Sequence, residues 1–241
     1  MTLFENPTIS TDPKVREFIG KITGGIGEGW QSLLGDTFNS HSFYNIIDLL
    51  FSKAKKGEKI YPKSTEMFKA FRECKYSKLK VVFIGQDPYH QPGVADGMAF
   101  SCGLSKKEQP SLKLIFDEIT RTVGDNSRDP DLTRWANQGI LLLNTALSVK
   151  ERTADSHTDL WRPFIVEFLQ MMNEKQRGII YVFFGSKAKE LSYLISDQHN
   201  TKINVVHPAS AAYKGGQWSS NNLFNNINSL LKASGSDEIT W

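Results

Sequence analysis

Four short apolar runs punctuate the chain from residue 79 onward. The first, Val81-Val82-Phe83-Ile84, is rich in β-branched side chains and is closed by Gly85. A continuous apolar run of this length suits a strand buried on both faces. Three others match it: 139–149 (Gly-Ile-Leu-Leu-Leu-Asn-Thr-Ala-Leu-Ser-Val), 178–185 (Gly-Ile-Ile-Tyr-Val-Phe-Phe-Gly) and 201–207 (Thr-Lys-Ile-Asn-Val-Val-His), the last followed by Pro208. Helical spacing fills the gaps, over about 111–123, 159–173, 187–195 and 219–233. Ahead of the first run the pattern is helical. A helix over 13–22 is opened by Thr11 or Asp12, with Pro13 at its first position, and is broken by Gly24, Gly25 and Gly27. A short helix follows from 28. A longer one over 42–54 puts Phe43, Ile46, Ile47, Leu50 and Phe51 on one face. After the charged turn 53–59, residues 60–62 are extended and 64–74 helical, so the first strand is 79–85. Residues 1–11 read as a loosely ordered arm.

Strand and helix alternate. The expected fold is therefore α/β: a single domain over 1–241, with a central, mainly parallel four-stranded sheet flanked by helices on both faces. Parallel strands put their carboxyl ends on one edge, where open α/β sheets bind ligands. On that edge the sequence places Gln86 and Asp87, then Asn144, then Gly185 and Ser186, then His207. A turn capped by Asp explains the first group alone, and a hydrogen-bonded core amide or a packed imidazole explains Asn144 or His207 alone. Polar groups recurring at successive strand tips are better explained by one composed site, because a buried polar group left unpaired costs roughly 1–3 kcal/mol.

Composition narrows the class. The net charge of +3 over 241 residues is mildly basic and compatible with a polyanionic partner. The two cysteines, Cys74 and Cys102, show neither metal-ligand nor paired-disulfide spacing and fit a reducing compartment. Residues 1–13 lack a secretory pattern, and no apolar run approaches the ~18 residues of a membrane span. The expectation is an intracellular (cytoplasmic) protein with no membrane span, no metal and no cofactor. Neither a Walker loop nor a Gly-x-Gly-x-x-Gly helix opening follows Gly85, which argues against a nucleotide-binding enzyme.

The residues around these tips carry a resemblance. Gly85-Gln86-Asp87-Pro88-Tyr89-His90 resembles the water-activating motif of family 1 uracil-DNA glycosylases. Segment 93–101, with Phe100, resembles that family's base-stacking segment, and Gln109-Pro110-Ser111-Leu112 its proline-rich phosphate loop. Leu141-Leu142-Leu143-Asn144-Thr145 resembles its uracil-reading strand, His207-Pro208 the start of its minor-groove loop, and 235–241 its C-terminal tail. The match runs from about 79 to the end, with several motifs in order.

The resemblance implies hydrolysis of the N-glycosidic bond between uracil and deoxyribose in single- or double-stranded DNA, by a monomer. It makes Asp87 and His207 catalytic. Asp87 stabilises an oxocarbenium-like sugar and orients water, while His207 and the Gln86 backbone amide hold the departing uracil. Asn144 would read uracil's edge, Tyr89 exclude the thymine methyl and Phe100 stack on the flipped base. His90, Ser111, Ser186, Ser210, Ala211, Tyr213 and Lys214 are the candidates for DNA contact.

Three departures from the family pattern stand out. Where the family writes Ser-Pro-Leu-Ser after His-Pro, this chain reads Ala209-Ser210-Ala211-Ala212-Tyr213, so the wedge leucine is absent and Ala211 is too small to replace it. Ala-His-Ser-His becomes Ala154-Asp155-Ser156-His157, putting a negative charge where DNA passes. The phosphate loop begins Gln109-Pro110 rather than Pro-Pro. The competing reading is a catalytically weak, DNA-binding replication-accessory protein on the same fold, against which the intact Asp87, Asn144 and His207 count.

Overall fold

In a computed structural model, which describes residues 12–212 and 216–241, the elements run α1 (Pro13–Thr23), α2 (Glu28–Phe38), α3 (His41–Lys55), β1 (Ile60–Tyr61), α4 (Lys69–Glu73), β2 (Val81–Gly85), α5 (Pro110–Thr122), α6 (Thr133–Ala136), β3 (Ile140–Asn144), β4 (Val149–Lys150), α7 (Thr158–Lys175), β5 (Ile180–Phe184), α8 (Gly185–Lys189), β6 (Thr201–Val205), α9 (Pro208–Ala212) and α10 (Leu223–Ala233). The expected arm 1–11 lies outside the described residues, as do Tyr213 and Lys214. Among the described residues, no helix is long and apolar enough to cross a membrane.

The four apolar runs form one parallel sheet in the order β3-β2-β5-β6. Every residue of β2, β3 and β5 is buried, so both faces of the inner strands are covered, as their unbroken apolar sequences require. β6 pairs on one side only and is half-exposed. The helical first third packs through aromatics: Trp30, Phe38, Phe43, Phe68 and Phe71 meet Trp161, Phe164 and Phe168 of α7 at centroid separations between 5.4 and 6.5 Å. Such pairs add to area burial by about 0.5–1.5 kcal/mol each.

Several boundaries differ from the sequence reading. Residues 60–62 are not merely extended: Ile60–Tyr61 pairs antiparallel with Val149–Lys150, so β1 precedes the expected first strand. The helix expected over 64–74 is a 3₁₀ turn, Ser64–Glu66, followed by the five-residue α4. The helix expected over 187–195 divides into α8 and a 3₁₀ turn, Ser192–Leu194. α10 starts at Leu223 rather than 219, where the Ser220 hydroxyl accepts from Leu223 N–H (3.1 Å) and itself bonds Glu118 of α5 (2.7 Å). The stretch after His207, expected as a loop, is the short helix α9, with Pro208 at its start and alanines after it. For β1 and α10 a strand partner and a cap, respectively, outweighed apolar spacing.

Candidate active site

The strand register brings the polar tips level. Gly85 of β2 pairs with Asn144 of β3, and Phe184 of β5 pairs with Val205 of β6. The residues just beyond these tips, Gln86-Asp87 and His207, therefore stand over one edge. The β2 and β3 tips are tied together: the Gln86 carbonyl accepts from Thr145 Oγ1 (2.7 Å) and from Ala146 N–H (3.1 Å). Two glycines are required here. A Cβ at Gly85 would meet Asn144 Oδ1 at 2.5 Å, and Gly185, at φ +86°, would place one 2.9 Å from His207 Cβ.

Asp87, Asn144 and His207 line a single cavity of about 440 Å³, together with Gln86, Tyr89 and Phe100. That volume is in the range of small-ligand pockets. His90 and Ser111 line it too. The sequence-derived set thus converges, with exceptions. Ser186 and Ser210 do not line this cavity. They line a neighbouring groove with Lys189, Asn204 and Val206, which meets the cavity at Gln86, His207 and Ala209. Ala211 sits in α9, half-buried against the core, and does not stand free as a loop residue.

Each wall is held by identifiable bonds. The Tyr89 hydroxyl donates to the Phe100 carbonyl (3.0 Å), so the phenol is pinned across the cavity. Phe100 adopts φ +65°, a left-handed conformation that costs a non-glycine residue roughly 1–3 kcal/mol. Buried Asp96 holds that turn: it accepts from Met98 N–H (3.2 Å), Ser101 Oγ (2.6 Å) and Gly103 N–H (3.2 Å), and pairs with Lys69 (3.3 Å). The Phe100 ring packs on Phe184 (4.8 Å) and lies 5.6 Å from the His207 ring. Sequence reasoning missed Asp96, although a lone carboxylate inside the apolar stretch from Val94 to Phe100 was a signal. Among the described residues, no protein group hydrogen-bonds the Asn144 side-chain amide, which leaves its edge to the cavity.

The electrostatics separate the two ionisable groups. Asp87 is half-buried, and burial pushes its pKa up. The Asp155 backbone N–H, donating to Asp87 Oδ2 (2.8 Å), pulls it back down. The Asp155 charge raises it further, while His90 and Lys187 lower it. His207 Nδ1 accepts from Ala209 N–H (3.1 Å), so its neutral ring carries the proton on Nε2. Burial pushes the His207 pKa down to about 4 from 6.5. Because the folded value lies below the unfolded one, the stability linked to the neutral ring is present above about pH 6.5 and is lost as pH falls toward about 4. We expect nitrogen-detected NMR to find a neutral, Nε2-protonated His207 at about pH 6. A doubly protonated ring at that pH overturns the assignment.

His157, the histidine of the 154–157 segment, is fully buried away from the cavity, with Nε2 bonded to Glu58 (2.8 Å) and Nδ1 to Ser148 (2.9 Å). It anchors the loop that delivers the Asp155 amide.

Comparison with known proteins shows the family and the fold. Residues 71–232 match the model of the uracil DNA glycosylase superfamily. The uracil-DNA glycosylase of Coxiella burnetii is 34% identical over 214 residues, covering 88% of this chain and 93% of that one. Uracil-DNA glycosylase 2 of Bacteroides fragilis is 35% identical over 219 residues, covering 90% and 98%. The mimivirus uracil-DNA glycosylase structure superimposes with a TM-score of 0.80 at 22% identity, over 88% of this chain and 86% of that one. A mimivirus variant in complex with UGI superimposes with a TM-score of 0.82. A four-stranded parallel sheet whose tips meet at one cavity, and a family match over most of its length, place this chain in the uracil DNA glycosylase superfamily.

Proposed function

We propose that the chain hydrolyses the N-glycosidic bond of uracil in DNA, releasing free uracil and leaving an abasic site for base-excision repair. The observation that carries this reading is the convergence of Asp87, Asn144 and His207, from three different strand tips, on one cavity walled by Tyr89 and Phe100.

Uracil cannot reach such a cavity from within a duplex, so the nucleotide is extruded, at a cost of a few kcal/mol. Phe100 stacks on the base, and Asn144 pairs with O4 and N3–H. The fixed Tyr89 ring fills the space a thymine methyl would need. As the glycosidic bond lengthens, positive charge grows on the sugar and negative charge on uracil. Ionised Asp87 faces the former and directs water to the sugar carbon. Neutral His207, with its proton on Nε2, donates to uracil O2, and the Gln86 backbone amide assists. Water supplies hydroxide to the sugar and, in the end, a proton to uracil. Fixed donors of this kind each contribute about 3–4 kcal/mol to barrier lowering.

For the DNA strand, the N-terminus of α5 at Ser111 is suited to a phosphate, as free amides and helix dipole coincide there. Ser186 and Ser210 in the adjoining groove extend that track, and His90 lines the cavity with Ser111 and Asp87. Tyr213 and Lys214 lie outside the described residues and stay candidates for DNA contact on the sequence alone. With Ala211 packed in α9, no wedge replaces the family's leucine at that position. The buried apolar residues form one cluster, and we read the chain as one domain acting as a monomer. No observation favours the accessory-protein reading.

The test is release of free uracil from matched single- and double-stranded oligonucleotides. We expect release from both, with the single strand at least as fast because Ala211 provides no wedge to offset the cost of extrusion. No release from either would refute the reading.

A further inference from the structure

Resting on the assignment of Asp87 as the reactive carboxylate, one further residue of the site can be named. The loop following β4 hangs on the first motif by two backbone hydrogen bonds: Arg152 N–H to the His90 carbonyl (2.9 Å) and Asp155 N–H to Asp87 Oδ2 (2.8 Å). Asp155 makes its bond from a left-handed conformation, φ +62°, which Asp and Asn tolerate better than other side chains. The same geometry fixes the Asp155 carboxylate at the cavity rim, where it lines the cavity along with Asp87. The negative charge of Asp155 disfavours the ionised form of Asp87. The Asp155 carboxylate is engaged by Lys187 of α8, which reaches it from an adjoining cleft.

We propose that Lys187 is a positioning residue of the glycosidic reaction: by neutralising Asp155 it lets the loop press its backbone N–H onto Asp87 without surrounding that carboxylate with uncompensated negative charge. The charged groups facing the pair come from several elements. The cleft is lined by Asp159 and Arg162 of α7, Lys187 of α8 and Glu190 just beyond it, besides Asp155 itself. Three of these are acidic and two basic, so loss of Lys187 leaves Arg162 as the cleft's basic group. Tyr89, His90 and His207 are the other titratable side chains that line the cavity with Asp87 and Asp155. The balance of charges has the right sign to matter: the Asp155 backbone N–H lowers the Asp87 pKa, the Asp155 carboxylate charge raises it, and the Lys187 charge lowers it. Catalysis needs Asp87 ionised, so removing the cation moves the acidic limb of the pH–rate profile upward.

A charge cycle tests this. Uracil release is measured across the acidic limb, and over a salt series, for the wild type, K187M, D155N and D155N/K187M. Asp155 and Lys187 are each 42% exposed, and thermal unfolding confirms that each variant folds. D155N keeps the backbone N–H and a side chain tolerant of left-handed geometry. We expect K187M to move the limb up by about one pH unit, lowering kcat/KM about tenfold at a pH on that limb. We expect D155N/K187M to return to within about twofold of wild type, since the charge needing compensation is gone. An unmoved limb in K187M overturns the proposal. So does a double variant displaced as far as K187M; with a shallower salt dependence, that result makes Lys187 a phosphate contact instead. A wild type that releases no uracil sinks the functional reading itself, a different failure from normal release with an unmoved limb.

Discussion

Asp87→Asn will retain binding to uracil-containing DNA and lose cleavage by about 10²–10³-fold. The substitution is nearly isosteric. Its amide oxygen can still accept from Asp155 N–H, the bond seen at 2.8 Å, so the loop stays in place. What disappears is the negative charge facing the sugar as it becomes cationic, in a half-buried setting where solvent screens that charge poorly. Single-turnover uracil release measures the loss, and fluorescence anisotropy with an uncleaved oligonucleotide measures the binding. Cleavage retained within about tenfold of wild type would remove Asp87 from the reaction. The wild-type rate should also fall on acidification at a higher pH than an unshifted aspartate would give, because burial raises the Asp87 pKa.

Asn144→Asp will change which base is released. The wild-type amide presents one donor and one acceptor, matching O4 and N3–H of uracil and opposing the amino group and bare N3 of cytosine. Its position is set by the backing of Gly85, against which Oδ1 is packed, and by a strand buried on both faces. A carboxylate there has two acceptors, loses its donor to O4 and gains a partner for the cytosine amino group. Sites built to pair a specific edge discriminate by about 10⁴-fold or more. We therefore expect uracil release to fall by at least about 10²-fold while cytosine release rises from background. Chromatography of free bases from paired substrates gives both numbers. Unchanged uracil release, or no cytosine release at any pH, would break the specificity assignment. Gly85→Ala is a useful companion, since its Cβ would intrude on the same amide and should impair reading of uracil without adding cytosine.

Much of this site could be read along the chain because its chemistry sits at strand ends. An apolar run stops, polar residues begin, and in a parallel sheet every such end faces the same way. That logic gave Gln86, Asp87, Asn144 and His207 without knowledge of any contact. It failed where groups distant in sequence decide the outcome. Ser186 and Ser210 lie at the correct edge, yet α8 and α9, the helices that start there, carry them into the neighbouring groove. Asp96 acts from within an apolar stretch by collecting donors that come together only when the 96–103 turn closes. Asp155 read as an obstacle to DNA, and its backbone amide on Asp87 could not be inferred from a side-chain substitution.

The sequence by itself determined the class of fold, the edge that bears the cavity and the groups proposed to act there, since apolar periodicity and the order of short motifs are local properties. The tertiary structure decided the β3-β2-β5-β6 order, the level register of Gly85 with Asn144, the left-handed turns at Phe100 and Asp155, and the pairing of Asp155 with Lys187. These depend on which distant segments pack together, and packing free energy is a property of the whole arrangement that no window of sequence contains.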